Sequence, residues 1–435
     1  MSRAKVFLLL ILYFGLPIAA TGIVLLSDPG LCPDPLLCAA LCAGVSGYTW
    51  LMFQLLLSAR IKLIERGIGN DRLLLFHRIM APVSIVLLLV HAAVKNLYYP
   101  ASVQKLSGSL AYIGFILIGI GSMILFGSES GRGLTRKIRH LFFETWKRQY
   151  QDVKRLHNFT FLLSVLIFFH VLFSSLARYY PGMRVYFIVV FLLGALSYLY
   201  HKGVRPLGRS SVYRVRSVDR PSENITTLEF EPEKGKGLNH QPGQFAFFRF
   251  PDRFPGPEEH PFTISHPEQP AITVKNLGDF TGRLGDVGQG TRVRIDGPYG
   301  VFSYKSIASG DPLVFIAGGI GITPFLSMIR GLRLEEDPRR PLLLWGVREK
   351  SDLIYLKEIE GNAVVVPVLS GQDESWTGER GRFDTELLRK FVSEDKMKSA
   401  CFFICGPPAM MNTVIRSLLF LGVPKKRIIR ERFSL

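Results

Sequence analysis

Six long apolar runs occupy residues 1–202, and they constrain the fold of this chain more than any other feature. Each run approaches or exceeds the roughly 20 residues that an α-helix needs to cross the hydrocarbon core of a bilayer. We therefore predict a bundle of six membrane-spanning helices in this part of the chain. The runs are Val6–Leu26, Pro35–Ala59, Leu73–Val94, Leu106–Ser128, Leu156–Ala177 and Val185–His201.

The connections between these runs carry their cations mainly on one side of the membrane. Fourteen Lys and Arg residues lie at the N-terminus and in the second-to-third and fourth-to-fifth connections. The opposite side has only four, which are Lys95, Lys105, Arg178 and Arg184. Cytoplasmic loops carry such an excess, so we predict an integral protein of the cell (inner) membrane with cytoplasmic N- and C-termini. A basic inner face also explains the net charge of +18, and we expect no nucleic-acid partner.

Three further segments of the membrane half allow local predictions. The basic, apolar N-terminus is predicted to be a retained first span, because no small-residue cleavage site precedes a soluble domain. The cations and apolar side chains of Thr135–Lys154 are typical of an amphipathic helix on the inner membrane surface, although a solvated loop fits the same composition. In the fourth run, Gly114, Gly119 and Gly121 predict close packing against other helices.

The character of the sequence changes after Lys202. Short alternating stretches such as Thr226–Glu231 and Phe245–Phe250 predict strands. From Pro312 the pattern becomes strand, glycine-rich turn and helix, which is typical of a parallel α/β fold. We therefore predict a β-barrel domain at 203–308 and a Rossmann-like α/β domain at 309–435, after a transmembrane domain at 1–202.

Four histidines form two pairs inside two of the predicted spans. His77 and His91 are 14 residues apart in the third span, and His157 and His170 are 13 apart in the fifth. Both spans cross in the same direction, so the pairs define two matched depths about 20 Å apart. Ionisable side chains inside a membrane are costly and usually functional, and neutral imidazole is a common axial ligand of haem. We predict two bis-histidine haem b groups, the inner at His77 and His157 and the outer at His91 and His170. The alternative is that each imidazole bonds a neighbouring helix.

If the fifth span is an ideal helix, the angular positions of its two histidines conflict with the two bis-histidine haems. At about 100° per residue, His77 and His91 lie within roughly 40° of one another, whereas His157 and His170 lie roughly 140° apart. The two haems therefore require either a local distortion of the fifth span or positions off the bundle centre.

The two histidine pairs, with 13 and 12 intervening residues, resemble those of the NADPH oxidase and ferric reductase superfamily. The tract from His260 to Ser265 is similar to the flavin-binding strand of that superfamily. The resemblance implies an FAD site, with Thr263 at the flavin ring edge and Phe262 as an apolar wall. It also implies that Lys275 and the turn around Thr281 and Gly282 hold the FAD pyrophosphate. The residues implied at this site are His260, Pro261, Phe262, Thr263, Ser265, Lys275, Thr281 and Gly282.

A glycine-rich loop follows the apolar strand at Leu313–Ala317 and opens a helix, which is the context that dinucleotide binding requires. Its predicted NADPH (or NADH) contacts are Gly318, Gly319, Gly321, Thr323 and Pro324. Thr323 is the expected N-cap, and Pro324 fits the first helical position. The Cys405-Gly406-Pro407 tract matches the same superfamily, and the resemblance places Cys405 beside the reactive nicotinamide carbon. A buried structural cysteine is the alternative.

Two more residues are assigned to the dehydrogenase chemistry. Arg348 follows a predicted strand end, where a guanidinium could pair with a ribose 2′-phosphate, although exposed arginines are common. The resemblance implies an aromatic residue near the C-terminus that stacks on the flavin, and Phe433 is the candidate.

Together these features predict a transmembrane oxidoreductase that passes electrons from NAD(P)H through FAD and two haems to an outer acceptor. Dioxygen is the favoured acceptor, with Lys95, one helical turn beyond His91, stabilising the charge of nascent superoxide. Lys95 could equally be an interfacial lysine. The alternatives are a ferric reductase acting on a ferric chelate, an electron donor to a partner protein, and a haem transporter or sensor. The lipid bilayer is an expected partner, and no required protein partner is evident from the sequence.

Overall fold

A computed structural model of the chain describes residues 3–31, 34–59, 61, 64, 68–100, 102–125, 141, 150–204, 211–235, 237–251, 254–256 and 258–431. The chain divides into two compact units, Met1–Arg205 and Pro206–Leu435. The predicted domain limits at 202/203 and 308/309 stay predictions. Most of the predicted surface helix Thr135–Lys154 lies outside the described residues, as does Phe433.

The first unit is helical and contains six helices long and apolar enough to cross a membrane, which confirms the predicted spans. Apolar side chains cover its surface, as in Leu117 at 68% exposure and Leu162 at 62%, and a bilayer would bury them. Its helices are α1 (Arg3–Ser27), α2 (Pro35–Ser58), α3 (Asn70–Tyr98), α4 (Val103–Leu125), α5 (Tyr150–Asn158), α6 (Thr160–Leu172), α7 (Ser175–Tyr179) and α8 (Pro181–Leu199), with a 3-10 turn at Pro29–Leu31 and a π-helical turn at Tyr200–Val204.

Glycines allow close helix contacts in this unit at two of the predicted positions. A Cβ atom on Gly114 would lie 2.7 Å from Leu163, and one on Gly119 would lie 3.1 Å from Ile85. A Cβ on Gly121 would meet no described atom within 4 Å, so the close packing that this glycine permits stays a prediction. The buried Tyr48 side chain donates to the Phe187 carbonyl at 2.8 Å and ties α2 to α8.

The fifth membrane helix, Arg155–Leu172, contains one irregular turn at Phe159. Helix α5 ends at Asn158, Phe159 forms a turn, and α6 begins at Thr160. The Phe159 amide bonds the carbonyl of Leu156, three residues back, at 3.0 Å, and the Thr160 hydroxyl donates to the His157 carbonyl at 2.7 Å. The turn at Phe159 lies between His157 and His170, so the phase of one ideal helix need not relate them. A local distortion was one of two ways to reconcile the phase with the two haems, and haems off the bundle centre stay the other.

The second unit begins with an antiparallel sheet of six strands in the order β4-β3-β6-β1-β2-β5. The sheet curls into a half-barrel around a core that includes Phe230, Phe248 and Ile272. Its elements are β1 (Ser211–Ser222), β2 (Ile225–Pro232), β3 (Phe245–Arg249), β4 (Glu259–Thr263), β5 (Ala271–Lys275), α9 (Asp279–Arg283) and β6 (Arg292–Tyr299), with 3-10 turns at Leu284–Asp286 and Tyr304–Ser306.

A parallel sheet in the order β10-β9-β8-β7-β11-β12 follows, with a hydrophobic core on each face. In β7, Phe315 belongs to one core and Ile316 to the other, so the strand is buried on both sides. The predicted architecture is confirmed. Its elements are β7 (Leu313–Gly318), α10 (Thr323–Leu334), β8 (Leu342–Val347), α11 (Leu356–Glu360), β9 (Val364–Leu369), β10 (Glu379–Arg380), α12 (Thr385–Phe391), α13 (Glu394–Ser399), β11 (Cys401–Cys405), α14 (Pro408–Phe420) and β12 (Ile428–Glu431), with 3-10 turns at Gly319–Ile322, Lys350–Asp352 and Lys425–Arg427.

Candidate functional site

His91 and His170 line one cavity of about 400 Å³ in the membrane unit. The two histidines come from α3 and α6, and the remaining lining is mostly apolar, including Leu88, Ile167 and Phe187. This volume lies within the usual range of cofactor sites, roughly 300–1,000 Å³. The structure thus brings together the two histidines that were predicted to share the outer haem.

Backbone carbonyls determine which ring nitrogen each of these histidines can offer. His91 Nδ1 lies 2.8 Å from the Ala40 carbonyl oxygen, and His170 Nδ1 lies 2.8 Å from that of Gln104. A carbonyl only accepts, so each Nδ1 carries the proton and donates it. The Nε2 atom of each ring then keeps its lone pair. Metal-ligating histidines are commonly oriented by such a bond from the other ring nitrogen. The bonds to α2 and α4 are equally those of the alternative, in which each imidazole only joins a neighbouring helix.

Two glycines make room for these imidazole rings. A Cβ atom on Gly44 of α2 would lie 2.5 Å from His91 Nδ1, and one on Gly108 of α4 would lie 2.6 Å from His170 Cε1. Both distances are far shorter than van der Waals contact. Any larger side chain at Gly44 or Gly108 would therefore push the ring from its carbonyl partner, and each glycine acts as part of a cradle for its histidine.

The inner pair, His77 and His157, have ring centres 6.3 Å apart and ring planes at 70°. An imidazole nitrogen binds a first-row metal at about 2 Å, so two opposed imidazoles on one metal have ring centres about 6 Å apart. His157 Nδ1 lies 3.1 Å from the Ser122 hydroxyl. His77 Nδ1 is buried and has no hydrogen-bond partner among the described residues. The spacing of the two ring centres thus matches that of two imidazoles on one metal atom.

Both pairs suit a haem better than a metal held by protein ligands alone. Within the described ranges, no group of three or more His, Cys, Asp or Glu side chains is placed to hold a metal ion. A haem supplies the equatorial ligands itself and needs only axial ligands from the protein. Two histidines at each level are therefore the donor set that a bis-histidine haem requires.

Two lysines lie at the wall of the outer cavity. Lys95 places its ammonium 4.7 Å from the centre of the Tyr99 ring, and the Lys105 ammonium donates to the Tyr99 backbone carbonyl. Lys95, Tyr99 and Lys105 all line the cavity, and no Asp or Glu is among its described lining residues. The cavity wall is consequently electropositive, which favours an anion or a developing negative charge.

The predicted flavin tract forms edge strand β4 and the segment after it. His260 stacks on Phe280 with ring centres 3.8 Å apart, and Phe262 lies parallel to Phe280 at 6.3 Å. Thr263 is buried at 6% exposure, as is Ser265 at 0%. Pro261 pairs with Phe247 of β3 in the ladder. The strand is therefore fixed against the half-barrel, with an aromatic layer formed by His260, Phe262 and Phe280.

The residues assigned to the FAD pyrophosphate have partners of their own. The Lys275 ammonium bonds both carboxylate oxygens of Asp352, at 2.7 and 2.8 Å. The Thr281 hydroxyl accepts from the amides of Leu277 and Gly278 at 3.0 and 3.1 Å, whereas a Cβ on Gly282 would meet open space. Lys275 thus has a buried anion beside it already, and its role toward phosphate stays a prediction.

The glycine-rich loop and the Cys405-Gly406-Pro407 turn pack directly against one another. A Cβ atom on Gly321 would lie 2.5 Å from the Cys405 carbonyl oxygen, and one on Gly406 would lie 2.9 Å from the Gly318 backbone. Strand β7 has β8 on one side and β11 on the other. The two loops therefore meet at the carboxyl ends of β7 and β11. The strand order of the sheet changes direction between these two strands, and open α/β sheets bind ligands at such a point.

The start of helix α10 differs in detail from the prediction. Thr323 is its first residue and does not cap it; its hydroxyl donates to the Ile320 carbonyl at 3.2 Å. Pro324 is the second helical residue, where its missing N–H costs nothing. Gly319 adopts a φ of 54°, which favours glycine. The 3-10 turn at Gly319–Ile322 satisfies the backbone in place of the side-chain cap that we expected.

Three remaining predicted residues have distinct surroundings. Cys405 is fully buried, and burial raises the pKa of its thiol well above the usual range, so the thiol stays neutral at physiological pH. Arg348 is exposed immediately after β8, and its guanidinium bonds no side chain in the described part of the chain. Phe433 lies outside the described residues, so its stacking role stays a prediction.

Sequence reasoning missed two residues that shape this region. The buried Trp345 indole donates to the Gly319 carbonyl at 3.1 Å and fixes the glycine-rich loop. The Arg330 guanidinium, at the far end of α10, bonds the Ser265 carbonyl at 3.1 Å beside the predicted flavin strand. The donor group of Trp345 in a strand of otherwise aliphatic residues was an available signal, whereas nothing in the local sequence identifies Arg330.

Comparisons with known proteins match both halves of the chain. The family model of the ferric reductase like transmembrane component matches residues 43–168, and that of the oxidoreductase NAD-binding domain matches residues 315–416. The membrane match includes three of the four histidines and ends two residues before His170. The NAD-binding match includes the glycine-rich loop, Arg348 and the Cys405 turn.

Curated relatives align with about half of the chain. The reductase component of propane 2-monooxygenase from Rhodococcus jostii is 28% identical over 51% of this chain and 63% of its own length, so the chain spans less than two thirds of that relative. A probable electron transfer subunit of dihydroorotate dehydrogenase B from Pyrococcus abyssi is 30% identical over 49% of this chain and 74% of its own length.

Solved structures show similarity as well. A flavohemoglobin from Malassezia yamatoensis has a TM-score of 0.49 and 18% identity, over 77% of this chain and 88% of that one. The FAD/NAD-binding domain of a nitric oxide dioxygenase from Vibrio cholerae has a TM-score of 0.46 and 23% identity, over 52% and 98% of the two chains.

Proposed function

Because this chain belongs to the superfamily of transmembrane ferric reductases and NADPH oxidases, we propose that it passes electrons from cytoplasmic NAD(P)H through FAD and two b-type haems to an outer acceptor. When bound, FAD accepts a hydride and releases single electrons, which the haems carry across the bilayer. The observation that carries the proposal is the cavity shared by His91 and His170, whose Nδ1 protons bond backbone carbonyls and leave Nε2 for iron.

The residues of the chain would divide this task between binding and insulation. His91 and His170 hold the outer haem, and His77 and His157 hold the inner one. The loop from Gly318 to Pro324, at the start of helix α10, would receive the nucleotide phosphates. Cys405 is neutral and fully buried, so it shields the nicotinamide from water instead of supplying charge. The β4 tract, including Thr263, holds the flavin ring.

The direction of electron flow follows from the charge of the connections. The excess of Lys and Arg in the second-to-third and fourth-to-fifth connections predicts that both lie in the cytoplasm. An even number of spans then puts both termini on that side, with the nucleotide-binding half beside the reduced NADPH pool. His91 and His170 lie toward the opposite face, near the acceptor.

We favour dioxygen as this acceptor. His91 and His170 would hold the outer haem, and that haem would supply single electrons to oxygen in the cavity. Lys95 follows His91 by one helical turn and lines the same cavity. Its ammonium would stabilise the negative charge that develops as superoxide forms. The product would be superoxide, released on the outer side.

Ferric reduction is the second candidate, and the charge of the cavity supports it. Lys95 and Lys105 line the cavity without any described Asp or Glu. Ferric ions are usually presented as anionic chelates, and an electropositive entrance raises the local concentration of anions. A dioxygen molecule is neutral and gains nothing from this steering.

The acceptor is tested by NADPH-driven reduction of cytochrome c, with and without superoxide dismutase, beside anaerobic reduction of a ferric chelate. We expect dismutase to suppress cytochrome c reduction. Lys95→Ala should slow superoxide formation about tenfold with haem content unchanged. Lys105→Ala, a matched control in the same cavity, should have a smaller effect, because the Lys105 ammonium is bonded to the Tyr99 backbone.

Other outcomes would reassign the acceptor. Dismutase-insensitive cytochrome c reduction with fast ferric reduction would make the protein a ferric reductase. Reduced haems that neither oxygen nor ferric chelate reoxidises would indicate a donor to a partner protein. An unchanged superoxide rate in Lys95→Ala would leave Lys95 as an interfacial lysine.

A further inference from the structure

Arg330 makes four contacts near the end of helix α10. Its Nε and Nη2 atoms bond the two carboxylate oxygens of Glu358 at 2.7 and 2.9 Å. Its Nη1 donates to the Ser265 carbonyl at 3.1 Å, and the guanidinium lies 5.2 Å from the Tyr355 ring centre. Only 20% of the Arg330 side chain is exposed. One side chain thus joins the α/β sheet domain to the half-barrel.

The contact between Arg330 and Ser265 links the elements that carry the two predicted ligand sites. Helix α10 begins at Thr323, directly after the glycine-rich loop, and it is a rigid rod of twelve residues. Ser265 follows Thr263, the predicted flavin contact, by two residues and is itself fully buried. Arg330 therefore fixes the helix that carries the nucleotide loop to the chain segment that carries the flavin strand.

A second anchor lies beside the first. The Tyr355 hydroxyl lies 3.0 Å from that of Thr227 on β2, and Thr227 bonds Thr273 of β5 at 3.0 Å. The Thr273 hydroxyl in turn donates to the Ser265 hydroxyl at 3.1 Å. Tyr355 has a φ of 55°, which is uncommon for a bulky residue. The stack of Arg330 on the Tyr355 ring holds this tyrosine where it reaches the half-barrel.

The type of side chain suits a positioning role. A guanidinium presents a planar fork that bonds a carboxylate at two points and still has donors left for a carbonyl. Lysine would supply the charge without the fork. The bonds from Arg330 also hold the pKa of the Glu358 carboxyl below its usual range, so this carboxyl stays ionised at physiological pH.

We infer that Arg330 is a positioning residue for hydride transfer, which sets the distance between the nucleotide loop and the flavin strand. The inference rests on the proposed function. In the step concerned, the C–H bond of the nicotinamide breaks and its hydrogen leaves with both electrons. An N–H bond forms on the flavin, so NADPH is oxidised and FAD is reduced. Arg330 touches none of these atoms and acts only through Ser265, Glu358 and Tyr355.

The test is Arg330→Gln in the purified full chain, with Arg333→Gln as the matched control. Arg333 is an exposed residue one turn further along the same helix, and it makes no hydrogen bond to the half-barrel in the described residues. We would measure the anaerobic rate of flavin bleaching by NADPH, and the isotope effect with NADPH deuterated at the transferred position. FAD content, NADPH KM and melting temperature would be recorded for each variant.

We expect the bleaching rate of Arg330→Gln to fall about tenfold, since small misplacements of reacting atoms are costly. The isotope effect should rise because hydride transfer becomes more rate-limiting, while FAD content and NADPH KM stay within about twofold. Arg333→Gln should behave as wild type. If Arg330→Gln does not fold, Arg330→Lys keeps the charge without the fork and should show the same changes at a smaller size.

Three results would overturn the inference. An unchanged bleaching rate in Arg330→Gln would show that the contact does not matter for the reaction. A slower rate with lost FAD, a lower melting temperature and an unchanged isotope effect would show a purely structural role. A wild-type flavin that NADPH does not bleach would overturn the proposed function together with the inference, whereas either of the first two leaves that function intact.

Discussion

Single atoms decide whether the outer histidines can serve as haem ligands. The carbonyl oxygens of Ala40 and Gln104 hold the Nδ1 protons of His91 and His170, and glycines give each ring its place. These contacts join residues that are 51 and 66 positions apart in the sequence. The orientation of each imidazole therefore depends on helix packing as much as on the helix that carries it.

Gly108→Ala should remove the outer haem without unfolding the membrane unit. The new Cβ would lie 2.6 Å from His170 Cε1 and 2.7 Å from Nδ1, so the ring must leave the Gln104 carbonyl. We expect the haem content to fall from two per chain to about one. Gly121→Ala, in the same helix, is the control, because a Cβ there meets no described atom within 4 Å. Equal haem content in the two variants would contradict this reading of the cradle.

His266 should make the soluble half less stable in mild acid. Its Nδ1 accepts bonds from the amides of Glu268 and Gln269, both at 3.3 Å, which requires the neutral ring. Burial, followed by the nearby Arg330, lowers the pKa of His266 below its usual 6.5, against the opposing effect of Glu268, Glu229 and Glu358. The unfolded chain therefore takes up the proton first as the pH falls, so stability is complete above 6.5 and declines below it.

We expect the melting temperature, followed by release of flavin fluorescence, to fall between about pH 8 and about pH 5.5 in the wild type. His266→Asn keeps an oxygen acceptor without a titratable group, so its melting temperature should change less over the same interval. Parallel pH profiles for the two proteins would rule out this role of His266.

The sequence predicted which histidines lie at the same depth better than it predicted the partners of the other candidate residues. Histidine depth follows from position along a helix, so the pairing of His91 with His170 could be inferred before the fold was known. Lys275 is different, because its partner Asp352 lies 77 residues away and on another sheet domain. Contacts of that kind depend on how two domains pack, and no local pattern encodes them.

Among the helices, the turn at Phe159 shows what the sequence could and could not predict. The apolar run Leu156–Ala177 predicted one span, and the unit does contain six helices suited to cross a membrane. The change from α5 to α6 depends on which carbonyl the Phe159 amide bonds, and hydropathy does not report that choice. The sequence therefore showed a mismatch in phase and left a distortion or off-centre haems as explanations, while the turn at Phe159 became visible only in the structure.

A further prediction concerns the two turns that follow β7 and β11, which pack against one another. A Cβ on Gly406 would lie 2.9 Å from the backbone of Gly318, and Gly406 adopts a φ of 154°. Gly406→Ala should therefore spread the two turns and slow NADPH-driven flavin reduction at least about tenfold. Gly310→Ala, at a glycine with nothing within 4 Å, is the control. Haem reduced by dithionite should be the same in both variants, and normal flavin reduction in Gly406→Ala would count against a nucleotide site here.

At the scale of the molecule, the charge of the connections predicts where each half lies. Fourteen cations on one side against four on the other favour cytoplasmic termini. A reporter that is active only in the cytoplasm should therefore be active when it is fused after Leu435. The same reporter should be inactive when it is inserted between Asn96 and Lys105. An external C-terminus would reverse the topology and the direction of electron flow.

In the proposed function, one chain joins NAD(P)H oxidation to haem reduction across the membrane. The most direct measurement is the visible absorbance spectrum of the purified full chain before and after anaerobic addition of NADPH, with haem counted per chain. We expect two low-spin haems per chain, a bleached flavin and nearly full haem reduction, and in His170→Ala reduction of the inner haem alone. A chain that lacks haem, or one whose haem stays oxidised while the flavin is bleached, would contradict the account.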